Sequence, residues 1–87
     1  MLDEFVGQVA VVDLDSPYVC IGTLAALDDR HLELHDADLH DLRDTQTSRE
    51  NYVAATLTTG IKRNRKRLLL ARSGVVAIAL FREIVDE

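Results

Sequence analysis

Seven consecutive apolar residues at 75–81, "VVAIALF", limit what this 87-residue chain can fold into more than any other feature. The run is strand-length and β-branched at Val75, Val76 and Ile78, and it follows "KRLLLAR" after a break of only Ser73 and Gly74. It does not alternate, and a strand apolar on both faces is buried on both faces. In an isolated five-stranded barrel of this size, one face of each strand meets water. The second face therefore needs a partner, and another copy of the chain is the simplest one. Edge strands of this character otherwise template aggregation. The expected contact residues are Leu68, Leu70, Val75, Val76, Ile78 and Leu80.

Size points the same way. Residues 1–87 make one small domain, which buries only roughly 60–65% of its unfolded surface. Disulfides, metals or oligomerisation commonly support such domains. Cys20 is alone, so it closes no internal disulfide; it reads as a small buried hydrophobe in a reducing compartment. No base adjoins it in sequence, as a catalytic thiol would require. The start "MLDEF" is acidic, without the apolar segment of a secretory signal, and no apolar run approaches the ~20 residues of a membrane span. The expected place is the cytoplasm, away from membranes.

The remaining segments read mostly as strands. "FVGQVAVVDL" is the first, and "DSP" at 15–17 turns the chain. "YVCIGTLAAL" is the second, with Gly22 at its centre, as at a sharp bend or close backbone approach. After "DDR" at 28–30, the third strand places Leu32 and Leu34 on one face. Its apolar positions then become Ala37 and Leu39. That change of phase at residues 35 and 36 is the signature of a β-bulge in one long, bent strand. Thr47 and Glu50 have capping-box spacing, which predicts a helix over 48–57 with Tyr52, Val53 and Leu57 on one face and Gly60 at the exit. The two-residue break at Ser73 and Gly74 predicts a tight turn joining the last two strands as a hairpin.

Five short strands, a mid-strand glycine, a strong bend and a final strand pair resemble the Sm-like family of SH3-like small barrels. The resemblance rests on Gly22, Leu24, Leu27, Asp28, Leu32 and Leu34 within "CIGTLAALDDRHLELHDADL". It rests also on Arg72 and Gly74 within "LLLARSGVVAIAL". It implies a mainly β fold: a strongly bent five-stranded antiparallel barrel with a short helical insertion between strands 3 and 4. It also implies homo-oligomeric rings joined through the last two strands, no cofactor, no enzymatic activity, and single-stranded RNA as a partner. The connection is one residue shorter than the family's, with His31 nearest the base-contacting Asn, and Ser73 separates Arg72 from Gly74 where the family has Arg-Gly. These departures keep a second reading open, a structural or regulatory assembly module that does not bind RNA.

Charge is distributed unevenly about a formal net value of −5. Lys62, Arg63, Arg65, Lys66 and Arg67 crowd five of the ten cations into six positions, whereas residues 28–44 hold seven acids against Arg30 and Arg43. The cluster gives phosphates a local field; as solvated surface its charges would be offset by Asp41, Asp44 or Glu83. In the RNA reading, Asp28 and His31 lie near a base pocket, Arg72 near a pore, and the 62–67 run on phosphates. As a bland alternative, Arg72 flanks a turn and pairs with an acid such as Glu83. Aromatics are few, with only Phe5, Tyr18, Tyr52 and Phe81 to stack on bases. On a regular third strand, His31, Glu33 and His35 would share one face, and Asp36, Asp38 and His40 the other. Either triplet has the residue types of a divalent-metal site, but neighbouring strand side chains usually fan into solvent, and no metal is expected.

Overall fold

The computed structural model describes residues 1–45 and 47–85. Strands β1 (Val9–Leu14), β2 (Tyr18–Leu27), β3 (His31–Asp41), β4 (Arg65–Ala71) and β5 (Val75–Leu80) form one antiparallel sheet in the order β4-β3-β2-β1-β5. Helices α1 (Leu42–Thr45) and α2 (Arg49–Thr59) occupy the connection between β3 and β4. Short 3₁₀ turns lie at Leu2–Phe5, Arg72–Gly74 and Phe81–Glu83. The fold is mainly β with a helical insertion, as the sequence predicts. Among the described residues, no helix is long and apolar enough to cross a membrane.

The bend has a local cause. Ile21 pairs with Asp38 but Thr23 pairs with His35, so β3 carries one extra residue there. Asp36 occupies the left-handed region at φ 50°, which Asp tolerates better than most residues. Gly22 faces this bulge. A Cβ on it would lie 2.7 Å from Ala37 Cβ and 2.9 Å from Ala37 Cα, so only glycine fits. The bulge shifts the phase of β3 and keeps Leu32, Leu34 and Ala37 on one buried face.

Bending lets the sheet close on itself. Val12, Cys20, Leu24, Leu32, Leu34, Ala37 and Leu70 form one core, and Leu68 of β4 and Val75 and Ile78 of β5 pack against it. The two edge strands thus share a core although they do not pair. Burial pushes the Cys20 thiol up to about 12, which suits an inert core position.

A second core lies on the opposite face of β1 and β2, and there the chain itself supplies the cover. Val11, Val19 and Ile21 are covered by Val53 of α2, with Tyr52, Ile61, Phe81 and Ile84 around them. The partner is the chain's own insertion and its last 3₁₀ turn. Arg49 ties that insertion to the turn between β1 and β2: its Nη2 donates to the carbonyl of Leu14 at 2.9 Å and to that of Ser16.

Four further expectations change. The first strand starts at Val9, after a 3₁₀ turn. The cap of α2 is Ser48, whose hydroxyl accepts from the Asn51 amide at 3.1 Å, and not Thr47. The buried face of α2 carries Val53 and Thr56, whereas Leu57 is exposed. Finally, β4 and β5 form no hairpin. The 3₁₀ turn at Arg72–Gly74 directs them to opposite edges of the sheet, β4 against β3 and β5 against β1.

Candidate nucleic-acid interface

The turn at 28–31 is built by one side chain. Asp28 Oδ1 accepts from the amides of Arg30 at 2.8 Å and His31 at 2.6 Å, and the Asp28 amide donates to the His31 carbonyl at 3.0 Å. These backbone donors, chiefly that of Arg30, hold the Asp28 carboxyl below its ordinary value. The last pair of the β3–β4 ladder, His31 with Ala71, then brings Arg72 alongside. The Arg72 amide donates to the Arg30 carbonyl at 2.8 Å, and its guanidinium Nη1 donates to the Asp28 carbonyl at 2.6 Å. Asp28, His31 and Arg72, singled out 44 residues apart in the chain, therefore meet at one end of the sheet. Arg72 is held by a carbonyl and not by Glu83. A cavity of about 120 Å³ beside the turn is lined by Ala26, Leu27, Asp28, His31, Glu33 and Leu69.

The basic run does not join this constellation. Arg65 and Arg67 stand opposite Ala37 and His35, toward the other end of β4. Arg65 and Ala71 are separated by roughly 20 Å at ordinary strand rise. Lys62 and Arg63 lie in the connection after α2, and with Arg65, Lys66 and Arg67 they are exposed. The acid that offsets Arg67 is Glu33, at 3.1 Å, rather than Asp41, Asp44 or Glu83. Arg67, followed by His35 at 2.6 Å, holds the Glu33 carboxyl below its ordinary value. Asp41 is engaged by Arg43, whose hydrogen bonds hold its carboxyl at about 2.

The side-chain triplets of β3 do not converge: the bulge at Asp36 falls within the second, and the first divides between two pairings. His31 turns toward Asp28, with Nδ1 3.6 Å from Oδ1, while Glu33 and His35 pair with each other. Among the described residues, no group of three His, Cys, Asp or Glu side chains could hold a metal ion. Asp38, only 4% exposed, accepts from the Tyr52 hydroxyl and from Asn64 Nδ2, the latter at 2.8 Å. Asn64 also bridges both backbone groups of Leu39, accepting from its amide at 3.0 Å and donating to its carbonyl at 3.2 Å. Sequence reasoning missed Asn64, although a lone amide inside a run of cations was a visible signal.

The free edges of the sheet carry fewer exposed apolar side chains than expected. Leu70 and Leu80 are buried within the chain, and Leu68, Val75 and Ile78 lean on the first core. Of the six expected contact residues, Val76 alone is exposed, at 67%; Leu69, outside that set, is 52% exposed.

No protein-family model and no curated protein matches the chain. Among solved structures it is similar to an Sm-like protein from Archaeoglobus fulgidus, with a TM-score of 0.62 and 20% identity over 92% of this chain and 88% of that one. The chain has the Sm-like fold, which is what the resemblance in "CIGTLAALDD" and "LLLARSG" implied.

Proposed function

We propose that this chain is a non-catalytic Sm-like module that joins copies of itself through β4 and β5 and presents the 28–31 turn with Arg72 to single-stranded RNA in the cytoplasm. One observation supports the reading best: Arg72 lies against the turn that holds Asp28 and His31, so a cation and an imidazole flank one turn at the end of two strands, with His31 lining a small cavity. Imidazole stacks on or hydrogen-bonds a base, and guanidinium meets phosphate or base edges. Assembly follows from the sheet order. The unpaired backbone edges of β4 and β5 lie on opposite sides of one sheet, each with an exposed apolar side chain, Leu69 or Val76. Pairing one edge with the other edge of the next copy is a head-to-tail contact, which closes into a ring when the rotation permits.

A particular observation also favours assembly without RNA. Asp28 and Asp29 place two acids in the turn itself, and Arg67 of the basic run already pairs with Glu33. Mass measurement at micromolar concentration and binding of oligo-U and oligo-A at two salt concentrations separate these readings. The RNA reading expects an oligomer that Leu69→Lys with Val76→Lys reduces to a monomer. It also expects salt-sensitive RNA binding that Arg72→Ala weakens about tenfold or more. An oligomer with weak, salt-insensitive binding to both sequences selects the second reading, and a native monomer overturns both.

A further inference from the structure

Another cavity lies away from that turn, between α2 and the far end of β3. Its volume is about 480 Å³, which is within the range of small-molecule sites. Asp38 lines it although it is almost wholly buried. Its two assigned hydrogen-bond donors, the Tyr52 hydroxyl and the Asn64 amide, are neutral, and it takes part in none of the described ion pairs. A carboxylate has about four acceptor sites, so further donors are accommodated there. The His40 and Tyr52 rings stack beside it with centroids 4.3 Å apart and planes within 5°. Exposed Lys62 completes the lining and is likewise outside the described ion pairs.

We propose that this cavity binds an amino-bearing nucleobase together with its phosphate: Asp38 accepts from the exocyclic amine, the His40 and Tyr52 pair stacks on the base, and Lys62 meets the phosphate. Each part answers to one property of the site. A buried carboxylate favours a ligand that donates, and charge-assisted hydrogen bonds are the strong ones. A pair of stacked aromatic rings offers a flat apolar wall to a planar ligand. Adenine and cytosine present an amine at the position where uracil presents a carbonyl, so the same carboxylate that attracts the first two repels the third. Asn64 acts as a positioning residue. Its amide is committed to the Leu39 backbone and to Asp38, which fixes the carboxylate toward the cavity. The proposal is independent of RNA binding at the 28–31 turn.

The test is calorimetric titration of the full chain with AMP, CMP, UMP and adenosine. AMP and CMP are expected to bind, with UMP at least about tenfold weaker, the value of one hydrogen bond to a charged group. Because Asp38→Asn can disturb folding, the exposed Lys62→Ala variant carries the second arm: it weakens AMP several-fold and leaves adenosine unchanged. Arg72→Ala leaves AMP binding unchanged, so failure at the turn and failure at this cavity are read separately. Displacement of AMP by oligo-A supports a strand as the source of the base, and AMP binding without displacement supports a free nucleotide. Absence of AMP and CMP binding at millimolar concentration, equal affinity for UMP, or equal loss of AMP and adenosine in Lys62→Ala overturns the proposal.

Discussion

The two ends of β3 hold polar groups by opposite means. At its start, Asp28 is exposed and shapes a turn by accepting from backbone amides, with Arg72 closing over the same turn. At its far end, Asp38 is buried and held by side chains from α2 and from the connection before β4. The first arrangement is local, needing three residues of one turn and the neighbouring ladder. The second exists only once a helical insertion has docked on the outer face of the sheet. Water competes for every partner at the first end and is largely excluded from the second, so the same residue type carries different stakes.

Asp38→Ala should produce the largest loss, about 3 kcal/mol in chemical denaturation, because it removes a buried acceptor shared by the partly buried Tyr52 hydroxyl and by Asn64 Nδ2. Tyr52→Phe should cost less, about 1.5 kcal/mol, since it removes one partner and keeps the ring against His40.

Tyr52 and three carboxylates along β3 and its leading turn predict opposite pH limits. Burial, followed by the hydrogen bond to Asp38, raises the Tyr52 phenol above its ordinary value of 10.0. Its stabilising contribution is therefore complete below pH 10 and is lost as pH rises beyond it, a loss that Tyr52→Phe should abolish. Asp28, Glu33 and Asp41 are lowered instead. Their contribution is present above their ordinary carboxylate range and is lost as pH falls, for Asp41 between 3.8 and about 2. Denaturation midpoints from pH 2 to 11 check both limbs.

Asp28→Ala should have the smallest effect on stability and a larger one on whatever the turn binds. A loss in denaturation equal to that of Asp38→Ala would remove the distinction between the two ends.

The strands themselves were readable from sequence because their signals are local. Alternation and turn residues locate β2 at 18–27, and the change of apolar phase between Leu34 and Ala37 marks the bulge that Gly22 accommodates. The turn site was half readable: Asp28, His31 and Arg72 stood out as residues, and the β3–β4 register brings them together. The Asp38, Tyr52 and Asn64 site was not. Asp38 fell with Asp36 and His40 on one strand face, and Asn64 looked like a gap in a basic run, because neither shows its partner in sequence.

The 75–81 run marks the same boundary. Its composition requires burial, and that requirement is independent of where the partner comes from. Sequence alone thus determined the strands, the bend and the presence of apolar surface on both sides of the sheet. The tertiary structure decided what covers each side: Val53, Phe81 and Ile84 close the second face over Val11, Val19 and Ile21, and Leu69 and Val76 remain exposed on the two edge strands. The hydrophobic effect fixes how much surface must leave water but carries no direction. Which segment removes it depends on where the α2 insertion lands, a contact between residues far apart in the chain that no local pattern encodes.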